Sequence, residues 1–181
     1  ARACYLPLKQ NIHSEIVRMP LQWNLGEYKL KGESEVTPSS ATWKWCGRTR
    51  LMHASAQSKY AKNLNIHVTN TPYIPAKDFP TAKKTFLSRA QQQEFKYVMN
   101  IEGYSGWTDR LKHELFGGAM VIMQRTPCRE WYGMALEPWV HYVPMDYLFR
   151  DIDSVMKYVT THDEEMEMLV QNMNRYAETL V

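Results

Sequence analysis

A chain of 181 residues with 44% hydrophobic and 23% charged side chains reads as one globular domain, or a domain with an extension, able to bury a sizeable core. Its longest central apolar run, Ala119-Met120-Val121-Ile122-Met123, is far short of the roughly 20 residues a membrane span requires, so no membrane span is predicted. A formal charge of +3 is mild, and Lys44, Arg48, Arg50, Lys59 and Lys62 follow no reader motif, so nucleic acid is not a predicted partner.

The first residue is Ala1, not Met, and no apolar signal segment follows it, which predicts that something upstream has been removed, by processing or by the choice of boundary. Residues 1–41 carry prolines at 7, 20 and 38, the polar stretch Lys31-Gly32-Glu33-Ser34-Glu35 and only short apolar pieces; they read as an extended arm or linker packed in places by Trp23 and Tyr28. From residue 42 onward short apolar runs alternate with helical patterns. The predicted strands are Trp43 to Cys46, Leu64 to Val68, Phe95 to Ile101, Ala119 to Met123 and Trp139 to Val143, with a loop from Pro72 to Pro80. Such alternation predicts an α/β domain over 42–181, with a Rossmann-like parallel sheet and helices on both faces. Cys4, Cys46 and Cys128 cannot all pair within the chain and lack metal-ligand spacing; they leave the redox compartment open and no metal is predicted.

Between the strands at 95–101 and 119–123 runs Gly103-Tyr104-Ser105-Gly106-Trp107-Thr108-Asp109-Arg110. A turn that opens a helix presents backbone N–H groups, and Arg110 and Lys112 add positive charge, so an anion is one occupant of this turn. An ordinary connection whose glycines only let the chain reverse is the other.

At the C-terminal end Ile152, Val155, Met156 and Val159 repeat as the stripe of an amphipathic helix. Thr161-His162-Asp163-Glu164 then reads as a capping box. The second helix places Met166, Leu169, Val170, Met173, Ala177 and Leu180 on one face, and these methionines read as core or docking surface rather than a cofactor box. Glu164, Glu165 and Glu167 suit a solvated helix start. Pro138-Trp139-Val140-His141-Tyr142 reads as a buried strand, with His141 a satisfied core histidine rather than a base.

The stretch YVMNIEGYSGWTDRLKHELFGGAMVIMQ, followed by EWYGMALEPWVHYVPM and DIDSVMKYVTTHDEEMEMLVQNMNRYAETL, resembles the C-terminal part of the capsule-associated glycosyltransferase family, which includes the Rumi-type protein O-glucosyltransferases. The resemblance covers residues 95–180 well and 42–94 weakly. It implies one half of a GT-B fold, the half that binds a nucleotide-sugar donor, and transfer of the sugar to a hydroxyl acceptor without a metal or other cofactor. By that resemblance Arg110 pairs with the donor diphosphate, a UDP-sugar if the chain is active, and Thr108 stands where the family usually has serine. A guanidinium fork suits two phosphate oxygens and stabilises leaving-group charge. Gly103 and Gly106 would let the backbone approach the donor, and Glu130 would accept sugar or ribose hydroxyls, its alternative being a helix N-terminal carboxylate.

Some positions depart from the family pattern. Trp45-Cys46-Gly47 stands where Phe-Arg-Gly is usual, leaving Arg48 or Arg50 to replace the basic residue; Met123 and Glu137 stand where lysines are frequent, and Asp109 sits beside Arg110. The resemblance also implies that the general base belongs to an N-terminal lobe that 41 linker-like residues cannot supply. Two readings follow: a glycosyltransferase whose acceptor lobe lies elsewhere, or a catalytically inactive, glycosyltransferase-derived subunit that joins other protein subunits through its arm and terminal helices. The resemblance implies the secretory pathway lumen; an organelle reached after presequence removal is the alternative.

Overall fold

The computed structural model describes residues 47–66, 87–102, 110–126 and 129–181, with side chains from Arg50 onward. The arm at 1–41, the predicted strand at 43–46 and the loop at 72–80 lie outside these residues. At the centre are three parallel strands in the order β1-β2-β3: β1 is Tyr97–Asn100, β2 Met120–Gln124 and β3 Val143–Met145. Val98 pairs in register with Val121, and Ile122 with Val143. All five residues of β2 are buried. Because successive side chains leave a strand on opposite faces, β2 must be covered on both, and its near-continuous Met-Val-Ile-Met run is the pattern that burial requires.

Among the described residues the helices are α1 Gly47–Gln57, α2 Arg89–Gln93, α3 Leu111–Glu114, α4 Ile152–Thr161 and α5 Asp163–Glu178. Short α2 begins with a complete capping box, the Ser88 hydroxyl accepting from the Gln91 N–H while the Gln91 side chain accepts from the Ser88 N–H. In α4 the stripe Ile152, Val155, Met156 and Val159 is buried as predicted, and in α5 Met166, Leu169, Met173 and Ala177 are buried with Val170 and Leu180 half-buried beside them. Packed on β3 and β2 respectively, α4 and α5 close the core, whose members also include Leu51 of α1. Burying one such side chain is worth about 1.5–3 kcal/mol.

Three expectations are corrected. The predicted strand at Trp139 to Val143 is a turn over 139–141, Tyr142 makes an isolated bridge to Pro138, and β3 runs from Val143 to Met145. Pro138 has no N–H to give a ladder, and Trp139 adopts φ 63°, which bends the chain out of the extended path. Glu137 O accepts from the His141 N–H at 3.0 Å, and the His141 ring returns the contact by accepting the Glu137 N–H at Nδ1, also at 3.0 Å. The capping box at Thr161 does not form. Thr161 is the last residue of α4, its hydroxyl donating back to the Lys157 carbonyl at 2.8 Å, and His162 takes the cap position without a side-chain bond to an N–H of α5. With one residue between two helices, the hydroxyl finds the carbonyl of its own last turn first. The predicted strand at Leu64 to Val68 joins no ladder in its described part, 64–66, although Leu64 and Ile66 pack on the core.

Candidate functional site

In an open parallel sheet the crevice outside the carboxyl ends of the strands is where ligands bind, because the loops there leave the scaffold together. Glu102 lies two residues beyond β1, Gln124 ends β2 and Tyr147 lies two residues beyond β3. The three form a closed ring of hydrogen bonds. The Glu102 N–H donates to Gln124 Oε1 at 3.0 Å, Gln124 Nε2 donates to the Tyr147 carbonyl at 2.8 Å, and the Tyr147 hydroxyl donates to Glu102 Oε2 at 3.2 Å. From α1, Arg50 donates to the same Tyr147 carbonyl at 3.3 Å and lays its guanidinium over the Tyr147 ring, 5.1 Å from the centroid. Of the two arginines expected to replace the missing basic residue, Arg50 therefore reaches the strand ends; the Arg48 side chain lies outside the described residues.

Glu102 is 4% exposed, and burial pushes its carboxyl up to about 7 against the opposing pull of the Tyr147 hydroxyl and the Arg50 charge. Its Oε1 is buried without a hydrogen-bond partner. Burial, then the Glu102 charge, likewise raises the Tyr147 phenol, which stays protonated and a donor. Sequence reasoning did not single out Glu102, Gln124 or Tyr147. The available signal was position, each standing where an apolar strand gives way to a turn.

Arg110 caps the start of α3 and is half-buried. Its Nε lies 3.9 Å from Glu114 Oε1, and its guanidinium reaches the Met99 carbonyl at 3.5 Å. Glu114 is buried and accepts a short hydrogen bond from Asn100 Nδ2. Burial raises the Glu114 carboxyl, opposed first by the Arg110 charge and then by Asn100. Among the described residues a carboxylate beside Arg110 is Glu114, one helical turn on, with the guanidinium also near the Met99 carbonyl of β1. Glu130 caps the short 3-10 turn Trp131–Gly133 without a side-chain cap bond, its carbonyl accepting the Gly133 N–H at 2.9 Å. Gly103, Gly106 and Thr108 lie outside the described residues.

A concavity of about 290 Å³ opens between the 137–142 turn and α5, lined by Val140, His141, Asn172, Arg175, Tyr176 and Thr179. It stands at the amino end of β3, away from the Glu102 ring. His141 there is half-buried, with Nδ1 satisfied by Glu137 and its ring tilted against Tyr176 at 5.5 Å. Among the described residues no cluster of three or more His, Cys, Asp or Glu could hold a metal ion, and no helix is long and apolar enough to cross a membrane.

Residues 39–181 match the profile of glycosyl transferase family 90. The chain belongs to that family. Protein O-glucosyltransferase 3 of Homo sapiens is 25% identical over 132 residues, covering 73% of this chain and 26% of the relative. Protein O-glucosyltransferase 1 of Homo sapiens is 24% identical over 97 residues, covering 54% of this chain and 24% of the relative. The uncharacterized protein 035R of Invertebrate iridescent virus 3 is 26% identical over 121 residues, covering 65% of this chain and 11% of the relative. The chain thus spans at most about a quarter of the length of these relatives. Within the family 90 match lie all three strands, the Glu102 ring and the Arg110–Glu114 pair.

Proposed function

We propose that this family 90 chain is the donor-binding lobe of a glycosyltransferase that moves a sugar from a nucleotide-sugar, a UDP-sugar, to a hydroxyl acceptor. In this reading the backbone around Gly103, Gly106 and Thr108 cradles the diphosphate, Arg110 pairs with it, and Glu130 accepts a hydroxyl of the donor. The carrying observation is that the match to family 90 contains a complete run of three parallel strands whose carboxyl ends bring Arg50, Glu102, Gln124 and Tyr147 together. An invariably charged guanidinium near the developing diphosphate lowers the barrier to leaving-group departure. The base that deprotonates the acceptor belongs to a lobe outside the domain at 42–181, supplied by further chain or by a partner, and the compartment is the secretory pathway lumen.

One observation favours the inactive, structural reading. The Arg110 guanidinium already faces Glu114 and the Met99 carbonyl, so a diphosphate has to compete for it. Calorimetric titration of the 181-residue chain with UDP and GDP, with Arg110→Ala as control, separates the two. Micromolar UDP binding lost in the variant supports the donor lobe. Absence of binding to either nucleotide sinks it and favours a subunit recruited for its surface.

A further inference from the structure

Two buried carboxyls flank the strand ends, and their surroundings differ in one respect. Glu114 has a cation at 3.9 Å and an amide donor from Asn100, so its charge is compensated within the fold. Glu102 has one oxygen bonded to the Tyr147 hydroxyl and the other, Oε1, buried with no partner. An unsatisfied buried carboxylate oxygen opposes folding, and a fold that served only stability would do better with an apolar residue. The ring that positions this carboxyl is at the same time fully made. Its N–H is taken by Gln124, Gln124 is anchored to Tyr147, and Arg50 braces Tyr147 from α1. A group held from three elements with one acceptor left over has the form of a pre-organised contact for something that arrives later.

We infer that Glu102 Oε1 is a ligand contact of the donor site, accepting a hydrogen bond from a hydroxyl of the ribose or of the transferred sugar, with Tyr147 and Gln124 as its positioning residues. This rests on the donor-lobe reading and adds a residue to it. A hydroxyl suits the position: it gives Oε1 its missing donor and brings no second charge into a buried place. A phosphate is disfavoured there, since it carries no hydrogen to give Oε1 and its charge opposes the carboxylate form of Glu102. Glu102 therefore selects the polyol part of a nucleotide-sugar and leaves the diphosphate to cationic groups. The contact discriminates against ligands that lack the hydroxyl, since their binding would leave the acceptor unpaired.

The test is calorimetric titration of the full 181-residue chain and its Glu102→Gln variant with three probes: inorganic pyrophosphate, UDP and UDP-glucose. The expected result is pyrophosphate affinity equal within about twofold in both proteins, and UDP or UDP-glucose binding at least about fivefold weaker in the variant. Loss already seen with UDP assigns the contact to the ribose; loss confined to UDP-glucose assigns it to the sugar. Equal affinities of wild type and variant for all three probes overturn the inference and make Glu102 a structural carboxyl completed by buried water. Should wild type bind none of the probes, the donor-lobe reading fails and takes this inference with it, a result distinct from the previous one. If Glu102→Gln does not fold, Tyr147→Phe is used: removing the donor that orients the carboxyl is expected to weaken the same ligands about threefold with pyrophosphate unchanged, and no change overturns the inference.

Discussion

The strand carboxyl ends and the α4–α5 helix pair are both buried, and they are built on opposite terms. In the helix pair burial is apolar throughout: Val159, Met173 and Ala177 are fully covered, and the charged residues, such as Glu164 and Glu167, stand on the solvent side. At the strand ends burial covers Glu102, Asn100, Gln124 and Glu114, each held by contacts from distant parts of the chain. The first region gains stability from every atom it hides. The second gives some up, since desolvated carboxyls oppose folding unless compensated. A fold tolerates that where the polar groups are needed, which is why the candidate site is read from the strand ends.

The contrast can be broken in order of expected effect. Met173→Ala empties a fully covered position on α5 and is expected to destabilise the chain by about 2–5 kcal/mol in urea unfolding. A loss under about 1 kcal/mol would mean that burial on α5 contributes little to stability. Glu102 acts with the opposite sign and depends on pH. Its folded carboxyl sits at about 7 against 4.5 for the free group, so the folded state binds the extra proton between those values. Stability relative to Glu102→Gln is therefore expected to be highest at or below pH 4.5 and to fall by about 3 kcal/mol as pH rises through 7. A pH-independent difference between the two proteins would show that the carboxyl is not titrating in the fold. Ser58 ties the end of α1 to α4 by donating to Asp153 Oδ1 at 2.6 Å, and Ser58→Ala should cost about 1 kcal/mol. Thr161→Ala should stay within about 0.5 kcal/mol, because the exposed hydroxyl bonds back to carbonyls of its own helix and to the neighbouring His162 ring and caps no N–H of α5; a cost near that of a true cap would restore the capping box.

Much of the second region was invisible in the sequence for a physical reason. Helix stripes repeat every three or four residues, so Ile152 to Val159 and Met166 to Ala177 declare their buried face locally. Of the strands, Tyr97–Asn100 and Met120–Gln124 were legible as apolar runs. The third was misplaced because Pro138-Trp139-Val140-His141-Tyr142 has strand composition, and only the backbone at Trp139 reveals the turn. Near β1 the Arg110–Glu114 pair follows from i, i+4 helical spacing once α3 starts at Leu111. Nothing in the local text links Glu102 to Tyr147 across 45 residues, or Arg50 to Tyr147 across 97.

By itself the sequence determined the class of the protein: the apolar runs and helical stripes of an α/β domain, the motifs of glycosyl transferase family 90 and the charged turn that suggests an anion. Tertiary structure decided which polar groups are taken out of water and which partners they meet there. Periodicity is a property of neighbours along the chain, and a few residues suffice to express it. Desolvation and hydrogen-bond satisfaction are properties of neighbours in space, and at the ends of β1, β2 and β3 those neighbours come from α1 and from all three strands at once.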